Sequence, residues 1–86
     1  MTKLEISAIV TDGSLWIYLD NALIVQNTEA ASIDVEEGHE YVVHWFVRGK
    51  PGSTYTISIS SPREAVMHIT KAMASGKSFG GFEFKT

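Results

Sequence analysis

Apolar side chains recur at every second position through most of this chain. Leu4, Ile6, Ala8 and Val10 alternate with Lys3, Glu5, Ser7 and Ile9, which describes a strand with one face toward a core. Asp12-Gly13 is a turn signal that ends it. LWIYL and ALIVQ then flank Asp20-Asn21, two residues that tolerate positive φ, so a two-residue hairpin is expected there. Ala31, Ile33 and Val35 alternate with Ser32 and Asp34 before Glu37-Gly38 closes that strand. From Tyr41 the pattern changes. YVVHWFV is apolar on both of its alternating faces, whereas TYTISI, from Thr54 to Ile59, alternates normally. A last strand is expected from Phe82 to Phe84, after the flexible run Ser75-Gly76-Lys77-Ser78. Short strands at regular spacing, with turn residues between them, predict an all-β, two-layer antiparallel β-sandwich of about seven strands.

The seventh element is contested. Ser61-Pro62-Arg63-Glu64 resembles a helix start, with a capping-box Ser and Glu and Pro at the first helical position. Val66, Ile69 and Met73 recur at helical spacing, and Gly76 sits where a C-cap would. The alternative fold is therefore six strands plus one short helix at 62–74, capping an open end of the sandwich. VMHITK reads equally as a strand, with Ala65, Met67 and Ile69 on one face and Val66, His68 and Thr70 on the other. The strand is preferred, because it can pair with the last strand and complete a sheet.

Side-chain size suggests how the long apolar strand is placed. It is expected to form a hairpin with the next strand, for which two registers compete. One sets Trp45 opposite Thr56, among hydroxyls. The other sets Val47 against Tyr55, Trp45 against Ile57 and Val43 against Ile59, gathering the bulky groups on one face. A one-residue slip costs about 1.5–3 kcal/mol for each large apolar group left exposed, so the second register is expected. It needs an odd-length loop around Lys50-Pro51-Gly52. Tyr41, Val43, Trp45 and Val47 then face the core, while Val42, His44 and Phe46 point outward beside Thr56 and Ser58. By the same accounting Leu15, Ile17 and Leu19 face inward, and Trp16 and Tyr18 outward.

Composition narrows the function without naming it. Eighty-six residues make one domain, 1–86, and the hydrophobic fraction of 44% argues against disorder. With no cysteine, neither a disulfide framework nor a thiolate metal site is available. The stretch MTKLEISAIVTDG lacks the apolar run of a signal peptide, and no segment approaches the ~18 apolar residues of a membrane span, so no membrane insertion is expected. Compartment stays open. The net charge of −3 combines −7 over residues 1–40 with +4 over residues 41–86. The bases of the second part, Arg48, Lys50, Arg63, Lys71, Lys77 and Lys85, are scattered singly, which argues against nucleic-acid binding. Complementary charge across sheets is the plainer expectation.

Catalytic signatures are scarce. His39, His44 and His68 lack the close spacing of a metal pair, so no metal site is expected. The acidic run from Asp34 to Glu40 could offer oxygen ligands to calcium, though a solvated loop explains it better. There is no Gly-x-Ser-x-Gly elbow, no facing pair of carboxylates and no phosphate loop at Gly80-Gly81, which instead suits a bulge or a close backbone approach. We therefore expect no enzyme, no catalytic residue and no cofactor.

The stretch from Ile17 to Val47 resembles the small Ig-like β-sandwich modules of the PEGA and carboxypeptidase-regulatory-like kind. The matching residues are Ile17, Leu19 and Asp20-Asn21, then Thr28-Glu29, Ile33, Val35, Gly38-His39 and Val43. Asn21 stands where that pattern has Gly, Glu29 where it has Pro, and the chain from Arg48 onward is not covered. The resemblance implies a non-catalytic module, often an appendage of bacterial surface or secreted proteins, and hence an extracytoplasmic setting. It also implies inward-facing Ile17 and Leu19. The outward set Trp16, Tyr18, Val42, His44 and Phe46 is then the candidate contact surface, for a protein partner or a second copy. The alternative is a carbohydrate-binding module with Trp16, Tyr18 and Phe46 as a sugar platform. Against both stands the reading in which loops, or the contested element, fold over these residues as a minor second core.

Overall fold

The computed structural model describes residues 2–86. Eight strands are formed: β1 Thr2–Val10, β2 Gly13–Leu19, β3 Ala22–Gln26, β4 Glu29–Val35, β5 Glu40–Gly49, β6 Thr54–Ser61, β7 Met67–Ala72 and β8 Lys77–Lys85. They make two four-stranded antiparallel sheets, ordered β4-β1-β6-β7 (sheet I) and β3-β2-β5-β8 (sheet II). The all-β sandwich expected from the alternation is therefore present, with eight strands rather than seven.

The core is the sum of the inward faces. Leu4, Ile6, Ala8, Tyr55, Ile57 and Ile59 from sheet I meet Leu15, Ile17, Val43, Trp45 and Val47 from sheet II, all buried. Each large aliphatic group removed from water in this way contributes about 1.5–3 kcal/mol. The two layers are also stitched by a half-buried hydrogen bond between the Tyr55 hydroxyl and Ser78 Oγ, 3.0 Å apart. Ile17 and Leu19 face inward, and the β2–β3 hairpin turns through Asp20 and Asn21 with Asp20 at φ 53°. A bulge after Ile17 sets Val25 opposite Ile17 and Leu23 opposite Tyr18, leaving Ile24 as the extra residue.

Three expectations are corrected. First, β5 and β6 do not pair. β5 lies between β2 and β8, and β6 between β1 and β7, so the Lys50–Ser53 loop carries the chain from one sheet to the other. The face assignment survives because the bulky sides of both strands meet across the core instead of side by side. Thr56 and Ser58 consequently lie on the outer surface of sheet I, away from Val42, His44 and Phe46. The loop turns at Gly52, φ +90°, and is held by Ser53 N–H donating to Lys50 O at 3.0 Å and Gly52 N–H donating to Met73 O at 2.8 Å.

Second, the 62–74 segment is a strand after one 3-10 turn, Arg63–Ala65, and the strand pairs with β6 rather than with the last strand. The Ser61 hydroxyl that could have capped a helix instead donates to Lys3 O at 2.8 Å, and Pro62 stays extended. Without that cap nothing holds the first turn open for extension, and the backbone joins the sheet edge. Third, β8 begins at Lys77, so Lys77 and Ser78 belong to the strand and Gly80-Gly81 lies within it. The close approach expected of the glycines is real. A Cβ on Gly80 would stand 2.8 Å from the Trp45 ring, and one on Gly81 2.7 Å from Val43 O.

Candidate functional site: the outer face of sheet II

Every strand of sheet II sends alternate side chains away from the core, and the pairing aligns them in rows across the sheet. One row runs Gln26, Trp16, Phe46, Phe79. The next runs Leu23, Tyr18, His44, Gly81. Beyond the first lie Ser14, Arg48 and Lys77; beyond the second, Val42 and Glu83. The five residues expected to form the site, Trp16, Tyr18, Val42, His44 and Phe46, are thus brought together on one face. Trp45, directly beside Phe46 in the chain, is only 8% exposed.

Cross-strand aromatic pairs organise this face. Trp16 and Phe46 sit 5.8 Å apart between ring centroids at a 36° tilt, and Tyr18 stacks on His44 at 5.1 Å and 8°. Such pairs contribute roughly 0.5–1.5 kcal/mol beyond the area they bury, so they hold each other upright on the sheet. Their faces are turned to one another rather than to solvent. Trp16 and Tyr18, in the middle of the sheet, are half-buried, while Phe46 and Val42 are exposed. A shallow depression is lined by Trp16, Tyr18, Phe46 and Arg48. The 62–74 segment does not cover it, since that segment belongs to sheet I.

Sequence reasoning missed Phe79, the most exposed large apolar side chain among the described residues at 77%, and Leu23 at 47%. Placing the last strand only at Phe82–Phe84 hid Phe79. Carrying the alternation of Phe82 and Phe84 back through Gly80 and Ser78 would have turned it outward. Leu23 was hidden by the bulge at Ile24.

The outer face of sheet I is chemically opposite. Ser7, Ser32, Ser58, Thr56 and Thr70 place short hydroxyls there, linked by Thr56–Thr70 at 3.0 Å and by Ser32 donating to Glu5 at 2.6 Å, with the exposed Ile9 beside Thr56 as an isolated aliphatic exception. Ser58 Oγ and His68 Nδ1 are 2.7 Å apart, a pairing the sequence did not announce. A nucleophile and base alone do not make a catalytic centre; an orienting group on the histidine and donors for the developing oxyanion are needed as well. Among the described residues no carboxylate hydrogen-bonds to His68, and no group of three or more His, Asp or Glu side chains is placed to hold a metal. No helix among them is long and apolar enough to cross a membrane. The chain matches no family model, no curated protein and no solved structure.

Proposed function

We propose that this chain is a non-catalytic interaction module of Ig-like architecture, an appendage-type domain that meets protein through the aromatic outer face of sheet II. The observation that carries the reading is the pair of adjoining rows Trp16–Phe46–Phe79 and Tyr18–His44, aromatic and uncovered on one side of a sandwich whose other side is mainly hydroxyls with the single exposed aliphatic Ile9. Contiguous exposed apolar surface rimmed by polar groups marks contact sites on soluble proteins. The two-sheet antiparallel sandwich supports the resemblance of residues 17–47 to PEGA-type modules, and that resemblance supports the appendage role.

A sugar platform at Trp16, Tyr18 and Phe46 is the weaker reading. CH–π contact with a pyranose needs aromatic faces open to solvent, whereas Tyr18 and His44 stack against each other and Trp16 leans on Phe46. The test is a photo-reactive phenylalanine analogue placed at position 46 or 79, with position 70 on the hydroxyl face as control, in cells producing the full protein. The expected result is a discrete protein adduct from 46 and 79, its cross-linked peptide identified by mass spectrometry, and none from 70. Equal labelling at all three positions, or none at any, overturns the reading.

A further inference from the structure

We propose that the aromatic face of sheet II is a twofold interface between two copies of this chain, laid face to face with their strands antiparallel. The proposal rests on reading that face as a protein-contact surface, and it names the partner. Charge carries it. At one end of the face Arg48 and Lys77 are cross-strand neighbours, a doubly positive row. At the other end Glu83 lies across from Val42, with Asp20 on the far side accepting the Val42 N–H at 2.9 Å, a doubly negative row. The outermost row, Glu40 with Lys85, is neutral. The two charged rows stand equally far from a line crossing the strands at the level of Trp45 and Gly80.

Rotation by 180° about that line, taken between two facing sheets, exchanges the rows. Each copy then offers Lys77 to the other's Glu83, and Arg48 to the other's Val42 beside Asp20. A twofold axis along the strands would instead stack like charge on like, so charge selects the antiparallel arrangement. The shapes agree with the charges. The same rotation sets Phe46 over His44, Trp16 over Tyr18 and Phe79 over Gly81. Phe79 protrudes at 77% exposure, and Gly81 has no side chain in a place where even a Cβ would crowd Val43 O and His44. Under this symmetry each copy's protruding phenyl ring lies over a residue of the other that has no side chain of its own to oppose it. A broad face of a body measuring 39 × 19 × 18 Å is of the order of the ~800 Å² per partner buried by a standard interface.

The test is sedimentation equilibrium on the purified chain, with thermal melts to verify folding of each variant. The expected result is a reversible dimer of twice the 9.5 kDa chain mass, weakened by salt. Phe79→Ala, Lys77→Glu and Glu83→Lys should each raise the dissociation constant by about tenfold or more. An equimolar mixture of Lys77→Glu with Glu83→Lys should regain wild-type association, because each new charge then faces an opposite one on the other copy. Within one chain the two positions are about 20 Å apart along a strand, so the recovery has no intramolecular route. A monomer at every concentration overturns the self-pairing; the photo-cross-link at position 79 then judges the contact-surface reading separately. A dimer indifferent to Phe79→Ala, or one not restored by mixing, overturns the antiparallel arrangement.

Discussion

Two neighbouring aromatic residues with opposite fates summarise how this chain works. Trp45 points inward, where its ring lies against the bare backbone of Gly80 and edge-on to Phe82 at 6.5 Å between centroids. Its Nε1 is buried with no hydrogen-bond partner among the described residues, an arrangement that costs about 1–3 kcal/mol and is tolerated for the apolar area the indole fills. Phe46 points outward and is 36% exposed. The inner site has no spare volume, since a Cβ at Gly80 would stand 2.8 Å from the ring, closer than van der Waals contact. Gly80→Ala is therefore expected to destabilise the fold by about 1–3 kcal/mol, read as a lower urea midpoint. Phe79→Ala on the same strand, measured at concentrations low enough to keep the chain monomeric, removes only exposed surface and should change stability by less than about 0.5 kcal/mol. Equal losses for the two would show that β8 is not packed as described. The inward–outward division was legible in the sequence because a strand has a strict two-residue period. Phe79 was not, because two glycines interrupt the hydrophobic signal on which that period is read.

At the level of elements, the sequence announces strands better than it announces their neighbours. The β2–β3 hairpin was legible from Asp20-Asn21, and the structure adds its physical reason. Asp20 takes the positive φ, and its carboxylate accepts the Val42 N–H, so the turn is tied to β5 as well as to its own strands. Asp20→Ala removes that acceptor and leaves an ordinary side chain at φ 53°. A loss of about 2 kcal/mol is expected in chemical denaturation, with Asp20→Asn retaining most of the stability. No difference between the two variants would show that neither the backbone angle nor the hydrogen bond matters. The β5–β6 connection was misread for a general reason. Two strands joined by a short loop present the same inward residues whether they pair edge to edge or face each other across a core. Val47, Trp45 and Val43 therefore could not reveal which arrangement Tyr55, Ile57 and Ile59 would take. The helix-like signals at Ser61 to Met73 failed on tertiary grounds, because the Ser61 hydroxyl serves β1 and Met73 is drawn into the core where its backbone holds Ser53.

For the whole molecule, the division of charge along the chain acquires a meaning. Each sheet takes two strands from the acidic first forty residues and two from the basic remainder: β1 and β4 with β6 and β7, β2 and β3 with β5 and β8. The halves are thereby interleaved within each sheet, yet the ion pairs found among the described residues, Lys3–Asp34 and His39–Glu36, both lie inside the first forty residues. The Lys3–Asp34 pair at 3.2 Å, between neighbouring strands of sheet I, is exposed and adds little. The two outer surfaces divide by chemistry, hydroxyls on sheet I and aromatics with charged ends on sheet II. From that division we propose protein contact on sheet II. Because the chain has no cysteine, single thiols can report it directly. The decisive measurement is the rate at which a thiol reagent modifies Val42→Cys on the aromatic face and Thr70→Cys on the hydroxyl face as protein concentration rises through the association range. The account predicts progressive protection of the thiol at 42 and an unchanged rate at 70. An unchanged rate at 42, or protection that appears at 70 instead, contradicts it.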